Sequence, residues 1–238
     1  MSTILGLTAR QLVGSRRVWL VLALVALPVI AGVLFRVADS TTTSAEFADG
    51  ITASLIASGI LPLVMLLFAT SAFGSELSDR TLGYLMLKPV PRWRIAVPKL
   101  FASVLVGGLP VALSGAVAVA IIEGGDARAA AATGVGLLLG ALAYAAIFTW
   151  AGLATRHALI FGLVYVFIWE AALAAYLDGI RYLSVRQFTL AGVAGLDNER
   201  LDTLNLSLGA GVGAIGGAIV IAAFSVLTVR KLSRIDVP

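Results

Sequence analysis

Residues Ile51–Phe73 read ITASLIASGILPLVMLLFATSAF, 23 residues without a charge. A bilayer core about 30 Å thick is crossed by roughly 20 helical residues at about 1.5 Å each, so this run is long enough to span it. It is continuous and lacks period-two alternation, which favours a helix over a barrel strand. Five more stretches of the same kind lie around it: Val18–Phe35, Leu100–Ile122, Ala129–Ala154, Ala158–Leu177 and Leu208–Val229. Of the 238 residues, 60% are apolar and 13% charged, with a mean hydropathy of +1.01. Soluble domains sit near 45–50% and 25%. A chain of this length has no water-soluble way to hide that much apolar surface, so the surplus must face lipid. The expectation is an all-α polytopic membrane protein of six transmembrane helices, forming a single domain over residues 1–238.

The basic residues set the orientation. Arg10, Arg16 and Arg17 precede the first span. Arg80, Lys88, Arg92, Arg94 and Lys99 lie between the second and third, Arg156 between the fourth and fifth, and Arg230, Lys231 and Arg234 after the sixth. These twelve share one side, against Arg36, Arg128, Arg181, Arg186 and Arg200 on the other. The positive-inside rule places the twelve, and both termini, in the cytoplasm. The formal charge of +4 is thus a matter of topology and gives no reason to expect a nucleic-acid partner. The 18-residue run Val18–Phe35 is longer than the apolar region of a signal peptide and reads as a retained first helix. Heavy use of Ala, Gly, Leu and Val suggests a GC-rich prokaryotic genome, hence a prokaryotic cytoplasmic membrane.

Two segments are neither spans nor simple turns. In Ile4–Arg17 the residues Ile4, Leu5, Leu7, Leu12 and Val13 can share one helical face, with Arg10, Arg16 and Arg17 polar. This pattern suits a short helix lying in the cytoplasmic interface, or else a frayed terminus. The loop Asp178–Ser207 mixes Ile180, Tyr182, Leu183, Phe188 and Leu190 with charges, and predicts one or two short helices capping the external face.

The segment between the second and third spans carries the most information. It reads SELSDRTLGYLMLKPVPRWRIAVPK over Ser75–Lys99. Glu76 and Asp79 come first, then an apolar stripe of Leu77, Thr81, Leu82, Leu85 and Met86, then Pro89 and Pro91, then Arg92, Arg94 and Lys99. Physically this is an amphipathic surface helix, a rigid proline turn and a basic collar, fit either to receive force from a soluble partner or to anchor helix ends by snorkelling.

This segment resembles the signature of ABC-2-type transporter permeases. There a Glu after the second span precedes a Gly-Thr pair, a leucine-rich stretch, a Pro, an Arg and a Lys at the third span. The matching positions are Glu76, Thr81, Leu82 and Leu85, Pro89, Arg92 and Lys99; Asp79 lies within the segment, and Arg80 stands where the family usually has Gly. The resemblance implies a coupling helix that docks on a separate cytoplasmic ABC ATPase, a second permease chain (identical or paralogous), and export of a substrate whose identity it does not specify. It also implies that ATP and Mg are bound by the partner. No GxxxxGK[ST] phosphate loop is present, so this chain is expected to hold no cofactor and to be no enzyme.

Within the spans, Glu170 lies about 12 residues from Ala158, roughly 18 Å into the core. A carboxylate there costs roughly 2.5–3.5 kcal/mol on insertion scales and must face a partner, a cavity or an interface. It either lines the translocation path or fixes an interhelix contact. An alternative function uses it as the proton carrier of an ion-coupled secondary transporter. The single histidine, His157, follows Arg156 at a turn and reads as solvated; with no cysteine, no metal site is expected. Gly136 and Gly140, and Gly209, Gly213 and Gly217, form GxxxG spacings that suit close packing or dimerisation.

Overall fold

The computed structural model describes residues 2–14, 17–38, 42–78, 91–155, 157–173, 184–197 and 209–234, and these are helical with short turns. α1 is Ser2–Val13 and α2 is Arg17–Val37. α3 runs unbroken from Ser44–Gly50 through a π-helical Ile51–Ile60 to Leu61–Ser78. α4 repeats that plan, with Trp93–Ser103, a π-helical Val104–Gly108, and Leu109–Ile122. α5 is Ala127–Ala154. α6 is Ala158–Val164 continued by a π-helical Tyr165–Leu173, α7 is Val185–Leu196 and α8 is Ala210–Ser233.

Among the described residues, five helices are long and apolar enough to cross a membrane: Val18–Val37, Ser44–Gly74, Trp93–Ile122, Ala127–Ala154 and Gly211–Ser233. The fifth predicted run begins as α6, but residues 174–183 lie outside the described residues, so the described part falls short of a full span. Several helices outrun their apolar cores. α3 starts seven residues before Ile51 and α4 starts seven before Leu100. Tertiary packing extends them past the point where hydropathy fades, burying Asp49 and Lys99.

The π segments of α3 and α4 share a sequence cause. Each is followed by Leu-Pro: Leu61-Pro62 and Leu109-Pro110. A proline has no N–H for the carbonyl four residues back, so the turn before it loses an α-type bond and the wider i→i+5 pattern fits there.

α5 is the central post, packed by α3, α4, α7 and α8. Its junction with α4 is a tight reversal. Gly124 and Gly125 take φ of 71° and 96°, a region only glycine enters freely, and the Gly125 amide donates to Ala120 O at 2.8 Å. Asp126 then caps α5, accepting from the amides of Arg128 (2.8 Å) and Ala129 (3.3 Å). α2 and α8 stand on the outside and turn apolar side chains outward: Trp19 is 77% exposed and Ile215 63%. In a soluble protein such faces would be a liability; on a membrane protein they are the lipid surface.

Candidate functional site

Glu170 is 1% exposed, and its carboxylate is occupied on both oxygens. Oε1 accepts from the Tyr165 hydroxyl at 3.1 Å and the Val185 amide at 2.8 Å. Oε2 accepts from the Ser184 hydroxyl at 2.6 Å and the Arg186 amide at 3.3 Å. The local sequence explains each donor. Tyr165 and Glu170 are five apart, the spacing a π-helix brings onto one face. Ser184 is the N-cap of α7, its Oγ also accepting from Gln187 N at 3.4 Å, and the amides of Val185 and Arg186 are orphan donors of the first turn. Tyr165 is positioned by Phe148 (edge-on, 6.2 Å between ring centres), which stacks on Tyr144 at 5.7 Å. Hydrogen bonds to a charged group contribute about 1.5–3 kcal/mol each, so two of these four already offset the insertion cost. The helix dipole adds to them.

α7 is the element the sequence reading places differently. A short helix is present within Asp178–Ser207, but it does not cap the external face; it is sunk into the bundle. Val185, Phe188, Thr189, Leu190, Ala191, Val193 and Ala194 are all buried. Space for it is made by glycine. A Cβ on Gly140 would lie 2.1 Å from Thr189 Oγ1, and one on Gly136 2.4 Å from Val193 Cγ2. On α8, a Cβ on Gly213 would lie 2.3 Å from Ala191 Cβ, and one on Gly216 2.5 Å from the Phe188 ring. The Gly136–Gly140 pair and Gly213 therefore seat α7; Gly209 has nothing within 4 Å of such an atom. At its far end Arg128 Nε donates to Leu196 O at 3.4 Å and lies 3.8 Å from Asp197. Arg186, counted with the external loop residues by sequence, lies a whole helix length below that end.

Lys99 sits at the opposite end of the bundle and is also 1% exposed. Its ammonium donates to the Ala72 carbonyl of α3 and lies 4.6 Å from the centre of the Phe73 ring. Around it Phe73, Ile95, Ala96, Leu153 and Leu232 form a cluster joined by Ile4 and Val229, so α1, α3, α4, α5 and α8 meet there. Arg92 is the N-cap residue of α4, its carbonyl accepting from the amides of Ile95 and Ala96. Glu76 lies near the end of α3; its side chain, together with Asp79, Arg80, Thr81, Leu82, Leu85 and Pro89, falls outside the described residues. The predicted site residues thus divide: Arg92 and Lys99 share the basic end, and Glu170 stands apart. His157 is exposed at the turn before α6, and no group of three metal-ligating side chains occurs among the described residues.

A groove of about 400 Å³ opens between α5, α6 and α8 over the start of α7. Its walls include Phe148, Trp150, Phe161, Tyr165, Trp169 and Phe224, a largely aromatic surface. Sequence reasoning did not find Tyr165, Ser184 or Arg186. One signal for α7 was present: Ser184 followed by Gln187 has the spacing of a capping box.

Helices of transmembrane length define an integral membrane protein of the transport-permease kind. The chain belongs to the ABC-2 family transporter proteins, whose family model matches residues 15–171, from the start of α2 to just past Glu170. A comparison with curated proteins finds no match.

Proposed function

We propose that this protein is the transmembrane subunit of an ATP-driven exporter. Two such chains, identical or paralogous, pair with two cytoplasmic ABC ATPases that bind ATP and Mg. The chain has six spans, α6 completing the fifth, and both termini face the cytoplasm, where the twelve basic residues gather. The observation that carries this reading is the family match over α2–α6, which includes the 75–99 segment between α3 and α4. Closure of the ATPases on nucleotide would push that segment. The Lys99 clasp, tying α4 to α3 where five helices meet, would pass the push into the spans. Four donors on Glu170 support an interhelix role for that residue over proton carriage.

Coexpression with the cognate ATPase tests the reading. Glu76→Ala and Arg92→Ala are expected to lower ATPase co-purification or transport-coupled ATP hydrolysis about fivefold or more while membrane insertion is retained. Unchanged co-purification and unchanged transport in both variants would contradict it.

A further inference from the structure

Arg186 is a charge at membrane depth that the fold does not consume. Two rulers agree on its level. From Asp197, at the outer end of α7, Arg186 is eleven residues inward, about 16 Å. From Ala158, Glu170 is about 18 Å in from the other side, and the Arg186 amide is bonded to it. Both lie well inside a core of about 30 Å. The guanidinium is part-buried and its Nε donates to Ala53 O of α3 at 3.3 Å. Among the described residues no carboxylate lies within 4 Å of it. Glu170 faces the start of α7, taking the Arg186 amide, so its charge is shared with the positive end of that helix.

The surroundings also suit a polar visitor. Beside Ala53, α3 carries Ser54, exposed, and Ser58, part-exposed, whose hydroxyl donates to Ser54 O of its own helix, polar groups at the depth where a lipid-facing helix would carry apolar side chains. An arginine in a membrane interior is costly and is retained where it serves a pathway or a partner. Its planar fork matches oxyanions in particular, binding two oxygens at once.

We propose that Arg186 is an oxyanion-binding station, and that the exported substrate is an amphiphile bearing a phosphate, phosphonate or carboxylate group. The proposal rests on the permease reading for its word "exported"; the binding site itself does not. The probes are dodecyl phosphate and inorganic phosphate, titrated at constant ionic strength into the purified chain in neutral maltoside micelles, with thermal unfolding and intrinsic tryptophan fluorescence as readouts. Wild type is expected to bind dodecyl phosphate, and Arg186→Gln to weaken that binding about tenfold or more, while the exposed Arg10→Gln changes it less than about twofold. Binding of both probes, each lost in Arg186→Gln, identifies a free-oxyanion site; binding of dodecyl phosphate alone identifies an amphiphile site; either supports the proposal. Equal binding by wild type and Arg186→Gln, or no binding by wild type, overturns it. Should Arg186→Gln not yield monodisperse protein, Arg186→Lys keeps the charge and removes the fork, and is expected to bind about threefold to tenfold more weakly; unchanged affinity then overturns the proposal. ATPase co-purification of the same wild-type protein separates the two failures. Partner bound without an Arg186-dependent anion sinks only this proposal, and an Arg186-dependent anion without partner sinks only the permease reading.

Discussion

Glu170 and Lys99 are buried charges at different levels of the helix bundle, and the two are held in different ways. Glu170 has four donors, two of them backbone amides of a neighbouring helix, and sits among side chains that glycine has let close up. Lys99 holds a carbonyl and a ring face at the root of the segment read as the coupling element. The carboxylate fastens the buried α7 to α6, the helix before it. The ammonium fastens two spans together where force would enter. One contact seats α7 in the bundle, and the other joins α4 to α3.

The strongest way to break this comparison is at the glycine seam. Gly140→Leu leaves no room for Thr189, and overpacking of a tight core costs about 1–3 kcal/mol or more. Monodisperse protein is expected to be lost in detergent size-exclusion, and survival of the wild-type profile would mean that α7 is not seated there. Next is Glu170→Ala, which strips the start of α7 and leaves buried donors unpaired, at a cost of about 2–4 kcal/mol. The unfolding temperature is expected to fall by several degrees. Glu170→Gln, which keeps shape and part of the acceptor set, is expected to fall less and to retain transport; abolished transport with normal stability would favour proton carriage. Lys99→Met sharpens the other half. It keeps the buried stem and removes the ammonium, so stability is expected to change by less than about 1.5 kcal/mol while ATPase coupling drops severalfold. A large stability loss with normal coupling would reverse the roles assigned to the two ends. Ser184→Ala removes the N-cap acceptor and one of the four donors to Glu170 while leaving three in place, and is expected to lower the unfolding temperature by less than Glu170→Ala does.

Five of the six predicted runs were legible as helices of spanning length because lipid imposes a length and an apolarity that few other environments demand, and Ile51–Phe73 meets both. The burial of Glu170 against a partner was legible too, because a carboxylate inside an apolar run must face one. Its partners were not. Ser184, Val185 and Arg186 follow it by 14 to 16 residues through a loop whose charges suggested a surface location. The short helix was expected, but the burial of α7 escaped because twelve residues are too few to register as a span, and because Arg186 and Gln187 at its start interrupt the apolar pattern. Its burial follows from Gly136, Gly140, Gly213 and Gly216, whose spacings indicate close packing without naming the partner. Lys99 was legible as a motif position. Its burial was not, since that depends on α4 continuing seven residues before Leu100 and meeting α3.

The central claim is that the 75–99 segment faces the cytoplasm and receives the ATPase. Because the chain has no cysteine, Leu85→Cys provides a unique label site without further changes. A membrane-impermeant maleimide is expected to modify it in inside-out vesicles and not in right-side-out vesicles, with protection when the ATPase is bound. Modification from the outer side, or labelling that the bound ATPase leaves untouched, would contradict the account.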